Sequence, residues 1–318
     1  MRPDGAIYAG IARHVLLAGL MAAGWLSIAG QGLAAPGEFK DCTGRIEEVS
    51  SRRPISFADL AGRVGKVDYL LFGERHGVRE HAVASSCVLS AMAKDDRPVT
   101  VVMEMLSRDD DAAIALYRKN HPETPAGLGV ELKWWTRGWP AFDNWLPLVE
   151  RTFSLRIPLH GGDLAEKDGR TRELTLSEKK AIRKRLGAAE TAVRESWTKA
   201  MMAAHCGLIP ERQAAMNADH HIRRDLSMAD AAEQARMLKH GVLLQVGRGH
   251  GRKDRSLHHV LAQADASVLT VGAFAEGENI TDEERRLYDY LWIVGKAELA
   301  DPCKLTGLTS KTGEPISR

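Results

Sequence analysis

Three short apolar runs, each ending in an ionisable side chain, restrict this chain more than any other feature. Residues 67–72 are rich in β-branched, aromatic and aliphatic side chains and are stopped by Gly73. A run that brief, bounded by glycine, reads as a buried strand and not as a helix. Glu74 and His76 follow at once. Residues 99–103 form a second run, ending in Glu104, and residues 241–246 a third, ending in Gly247-Arg-Gly-His250. Continuous apolar strands belong to parallel sheets covered on both faces by helices. In such sheets, ligand groups sit just past the carboxyl ends of the strands. If the three strands lie side by side, their tips bring Glu74, His76, Glu104 and His250 into one crevice.

The rest of the chain supplies the covering helices. Residues 80–94 carry Val83, Val88, Leu89 and Met92 at helical spacing, as a crossover helix would. Another helix is expected from about Asp109, a strand over 154–159 with Gly161-Gly162-Asp163 at its tip, and a helix over about 257–263. Further strands are expected over 267–272 and 291–294. Residues 36–64 read as an irregular arm. Residues 177–239 are helical in composition with a break near 207–210, which makes about 164–239 a helical insertion. The expectation is one α/β domain over 36–318: a central, mostly parallel sheet flanked by helices. Trp134, Trp135, Trp139 and Trp145 cluster in a stretch rich in proline and glycine, as core packing or as a stacking surface for a ligand.

Residues 1–35 stand apart. Arg2 and Arg13 precede an apolar stretch over 15–29, and small residues follow, so cleavage as a secretory signal is expected after Ala34 or Ala35. No later stretch is apolar enough to span a bilayer. The expected location is therefore periplasmic or secreted, and Cys42 lacks the small, apolar lead-in of a lipoprotein cysteine. Export makes the four cysteines informative, because an even number in an oxidising compartment suggests disulfides. Cys42 and Cys303 lie near the mature ends, which often meet. That pairs them and leaves Cys87 with Cys206; buried free thiols are the alternative. The formal charge of +2, spread along the chain, argues against a nucleic-acid partner.

Two chemistries fit the expected crevice. His76, Glu104 and His250 could hold a divalent metal that activates water. Alternatively a histidine acts as a general base oriented by a glutamate, with no metal. His221 and Asp225 share a helix face and could cap the crevice. Asp163 could join it or make a turn. His220 and the neighbouring arginines read as a solvated helix face.

Taken together and in order, Leu71-Phe-Gly-Glu-Arg-His76, Val102-Met-Glu104-Met105, Arg224-Asp225 with Met228-Ala229, and Gly247-Arg-Gly-His250 resemble the ChaN-like haem-binding uptake proteins of the Tiki superfamily. So does the end of the chain, from Asp289-Tyr-Leu-Trp292 to Asp301-Pro-Cys303. The resemblance implies a haem or small-molecule ligand, a role in iron uptake, and pairing of two copies through a shared haem. The wider superfamily includes Tiki metalloproteases and erythromycin-esterase-like hydrolases, whose roles map onto Glu74, His76, Glu104 and His250. Haem in this family is held through a tyrosine. That makes Tyr117, Tyr288 and Tyr290 candidate ligands, with Trp145 and the other tryptophans as an apolar wall. This chain departs from the family pattern at Gly77, at His81-Ala82, at His221 (commonly Gln) and at Ser256-Leu257-His258.

Overall fold

The computed structural model describes residues 42–263, 265–298 and 303, and an eight-stranded sheet runs through it. β1 (Arg45–Glu48) and β2 (Arg53–Ile55) form an antiparallel hairpin. α1 (Phe57–Val64), β3 (Tyr69–Glu74), α2 (Arg79–Met92) and β4 (Val99–Ser107) follow. Next come α3 (Asp111–Asn120), the short α4 (Leu128–Glu131), α5 (Leu146–Ser154) and β5 (Leu159–Asp163). Three helices fill the expected insertion: α6 (Leu176–Leu186), α7 (Glu190–Ala204) and α8 (Glu211–Met237). The chain ends with β6 (Gly241–Gly247), α9 (Ser256–Leu261), β7 (Val268–Phe274), α10 (Asp282–Arg285) and β8 (Tyr290–Ile293).

The strand order is β2-β1-β8-β7-β3-β6-β4-β5, and the six strands from β8 to β5 are parallel. The three apolar runs are therefore neighbours, in the order β3-β6-β4. Their residues alternate between two cores, as the period of two requires. Leu70, Phe72, Val101, Met103 and Leu243 face one core, shared with α2 and α5. Tyr69, Leu71, Val102, Leu244 and Val246 face the other, shared with α7, α8 and α9. α8 comes close to the sheet because much of its inner face is alanine: Ala214, Ala218, Ala229 and Ala232 are fully buried.

The structure corrects three expectations. The arm before β3 is structured: β1 pairs with β8, and α1 begins at a Ser56–Asp59 capping box. Strands of three or four residues carry too little periodicity to be read. Residues 154–158 end a helix and turn through Arg156 at positive φ, so the strand starts at Leu159 and Gly161 and Gly162 lie inside it. The disulfides are Cys42–Cys87 and Cys206–Cys303. Cys42 docks on α2, while Cys303 bonds to the α7–α8 turn on the opposite face, so the two cysteines are not partners although β1 and β8 are neighbours. Among the described residues no helix is long and apolar enough to cross a membrane, and residues 1–35 lie outside them.

Candidate functional site

The site begins at the tip of β3. Gly77, at φ +89°, turns the chain from the strand into α2 and leaves His76 on the turn itself. Glu74 is buried, and its Oε1 lies 2.6 Å from His76 Nδ1 while accepting the Trp145 indole N–H at 3.0 Å. Burial alone would lower the His76 pKa, but the bond to Glu74 and the charge of Glu104 outweigh it and raise it. His76 Nε2 is 4.0 Å from Glu104 Oε1, and its ring stands edge-on to half-buried Trp139 at 5.0 Å.

Glu104, at the bend in β4, is the centre of the cluster. Its Oε2 accepts the Gly247 backbone N–H at 2.5 Å; its Oε1 lies 3.0 Å from Arg224 Nη2 and 3.4 Å from His250 Nε2. Burial would raise its pKa, but His250, Arg224, His76 and the Gly247 N–H hold it far below the usual carboxylate range. Gly247 leaves room for the His76 ring, since a Cβ there would stand 2.8 Å from His76 Nε2 and push the imidazole out of place. Arg224 completes the arrangement by bonding Asp163, at the end of β5, through two nitrogens at 2.8 and 2.9 Å.

α8 supplies the third side. His250 Nδ1 lies 2.5 Å from Asp225 Oδ1, and Asp225 Oδ2 accepts from Trp197 Nε1 at 3.2 Å and from the Ser256 hydroxyl. His250 Nε2 faces His221 Nδ1 at 3.2 Å. His221 lies flat on Trp197, with ring centres 4.5 Å apart and planes 13° apart, and the Arg255 guanidinium lies 4.2 Å from the Trp197 ring centre. Burial first, then His250 and Arg224, push the His221 pKa down to about 2.

Glu74, His76, Glu104, His250, His221, Asp225 and Asp163 therefore meet. The other candidates do not. The Tyr288 hydroxyl is buried and donates to the Arg248 carbonyl at 3.0 Å, and burial raises its pKa, opposing the phenolate that ligation needs. The Tyr290 hydroxyl accepts from Arg63, and that of Tyr117 accepts from the Gly127 N–H. Trp145 lies behind Glu74, only 1% exposed, so it supports the site from beneath and offers no wall. Among the described residues no group of His, Cys, Asp or Glu has the arrangement of a metal site. Arg224 stands on the Glu104 oxygen that His76 and His250 face, supplying the positive charge a divalent ion would bring.

Arg224 is also a correction, because it is a buried partner of two carboxylates and not part of a solvated face. Trp197 and Arg255 are not marked by the sequence, and Ser256 stands out there only as a departure from the family pattern. The usable signal for Trp197 was its place in the stripe Val193, Trp197, Met201, spaced by four and all buried.

The fold and crevice define an α/β protein with a buried acid–base cluster at the carboxyl ends of parallel strands. The chain belongs to the family described as "Haem-binding uptake, Tiki superfamily, ChaN", whose sequence profile matches residues 60–261. It is similar in fold to ChaN of Campylobacter jejuni, solved with cofacially bound haem. The TM-score is 0.59 and the identity 18%, over 78% of this chain and 95% of that one. An erythromycin esterase, EreC, solved as a mutant in its open conformation, aligns with a TM-score of 0.44 and 11% identity, over 83% of this chain and 85% of its own. No curated protein matches the chain.

The donor set fits a haem, though not through tyrosine. Imidazole is an iron ligand, and flat apolar rings suit a porphyrin. The crevice offers imidazoles at His76 and His221 and an open indole at the half-buried Trp139, while Trp197, buried between His221 and Arg255, only backs His221.

Proposed function

We propose that this protein is an exported haem-binding protein serving iron uptake, with the ligand taken at the mouth of the strand-tip crevice. The observation that carries the reading is the pairing of imidazole with indole on both sides of Glu104. Nitrogen ligands would hold the iron, and the half-buried Trp139 would face the ring. The bound group would supply iron in a form that can be handed on. Export through the segment over 1–35 would place the protein where haem arrives, and two copies could share a ligand. Titration of purified protein with haemin tests this. A Soret band that saturates is expected, and an unchanged spectrum removes the reading. N-terminal sequencing of the exported protein should begin just past Ala34 or Ala35.

One contact favours a second reading. Asp225 orients His250 through Nδ1, which leaves Nε2 placed as a general base. With Arg224 and Glu104 beside it, that group could deprotonate a water attacking an ester carbonyl, with no metal. Hydrolysis of a carboxylic ester that is lost in His250→Ala supports this reading; equal rates in parent and variant refute it.

A further inference from the structure

We propose that His221, through Nε2, is the axial ligand to haem iron in this protein; the proposal rests on the haem-binding reading of the crevice. Asp225 Oδ1, 2.5 Å from His250 Nδ1, fixes the His250 ring so that its Nε2 lies 3.2 Å from His221 Nδ1 and 3.4 Å from Glu104 Oε1. His221 is therefore held through Nδ1, and its Nε2 lies on the other edge of the ring. Among the described residues, that nitrogen has no hydrogen-bond partner. Ligating histidines commonly donate their other ring N–H to an acceptor that is itself anchored. Here the anchor is the chain His221, His250, Asp225, Ser256.

The ring is also held. Trp197 stacks on one face of His221 at 4.5 Å, and Arg255 packs on the far side of the indole at 4.2 Å. A ligand whose plane is fixed before binding loses little freedom on coordination. Of the other crevice nitrogens, His250 uses both of its own, and His220 Nδ1 is buried without a hydrogen-bond partner among the described residues. His76 Nε2 makes no hydrogen bond among them either, but it is crowded by the Gly247 backbone and by Glu104 Oε1, 4.0 Å away. Tyr117, Tyr288 and Tyr290 have committed hydroxyls.

The test is spectroscopic, on the full mature chain loaded with haemin. Resonance Raman of the reduced parent should show an iron–imidazole stretch, and the oxidised parent no iron–phenolate band. His221→Gln should shift the Soret band and weaken haem binding at least tenfold, with circular dichroism unchanged. Free imidazole should restore the parent spectrum in His221→Gly, and Tyr290→Phe should match the parent. An iron–phenolate band in the parent, or a His221→Gln spectrum and affinity equal to the parent's, overturns the assignment while the haem-binding reading stands. A phenolate band in the parent overturns the assignment even if a variant does not fold, and imidazole rescue of His221→Gly separates His221 from the other histidines. Failure of the parent to bind haemin at all overturns both.

Discussion

Asp225 lies 2.5 Å from His250 although the two come from different elements, the middle of α8 and the loop after β6. The aspartate is fully buried and also takes hydrogen bonds from Trp197 and Ser256. One carboxylate thus ties α7, α8, α9 and the tip of β6 together.

Asp225→Ala should therefore be costly. It leaves a buried indole N–H and a buried hydroxyl without their acceptor and frees the His250 ring. The expected loss is about 3 kcal/mol of unfolding free energy. Urea denaturation followed by tryptophan fluorescence measures it, and a loss below about 0.5 kcal/mol would show that the network does not hold the helices. Asp225→Asn keeps the shape but turns a donor toward His250, so it should disturb the site more than the fold.

Glu104 makes an acid-side prediction. Its folded pKa lies well below the 4.5 of an ordinary glutamate. A depressed carboxylate contributes stability that is complete above pH 4.5 and is lost as pH falls through the folded value. Glu104→Gln should remove that contribution and flatten the stability profile below pH 4.5, where the parent profile is steep. Equal slopes in the two proteins would rule out Glu104 as a source of acid lability.

The parts of this architecture legible in the sequence are those with dense local signal. The runs that became β3, β4 and β6 are continuous, bounded by glycine or charge, and buried on both faces. The convergence of Glu74, His76, Glu104 and His250 followed from that pattern and one rule about parallel sheets. Arg224 was misjudged because four-residue spacing cannot tell which face of α8 meets the sheet. That depends on alanines too small to mark a core by themselves. The disulfides depended on which face each chain end crosses, which no spacing encodes.

Each disulfide should be worth several kcal/mol. Cys42–Cys87 and Cys206–Cys303 span 45 and 97 residues. Loop-closure entropy assigns about 4 kcal/mol to the shorter and slightly more to the longer. The paired serine variants, Cys42→Ser/Cys87→Ser and Cys206→Ser/Cys303→Ser, should each lower the urea midpoint, the second at least as much as the first. A Cys206→Ser/Cys303→Ser protein as stable as the parent would mean that this link constrains nothing in the unfolded chain.

Gln245 should be improvable. It is fully buried on β6, and among the described residues neither its amide nitrogen nor its oxygen has a hydrogen-bond partner. It shares a face with Leu243, above the core packed on α2 and α5. An unpaired amide in such a place costs about 1–3 kcal/mol. Gln245→Met, close in volume and without polar atoms, should raise stability by about 1 kcal/mol, read as a higher melting temperature. A clear loss instead would show that an internal water satisfies the amide.

His81 makes a prediction in a separate pH window. It is fully buried on α2, and its Nδ1 accepts the Arg75 backbone N–H at 3.0 Å next to the β3 tip. Burial, with a smaller push from Arg248, lowers its pKa from 6.5 to about 4. The unfolded chain therefore takes up a proton at this residue before the folded one does. Stability from His81 is complete above pH 6.5 and declines as pH falls toward 4. The decline should reach about 2 kcal/mol by pH 5, above the range in which Glu104 acts. His81→Asn places an oxygen where Nδ1 stood and keeps the Arg75 bond without a titrating ring. Urea unfolding at pH 7 and pH 5 should show a smaller pH-dependent loss in His81→Asn than in the parent. The same loss in both would assign the effect to other, half-buried histidines with lowered pKa values, among them His220 and His258.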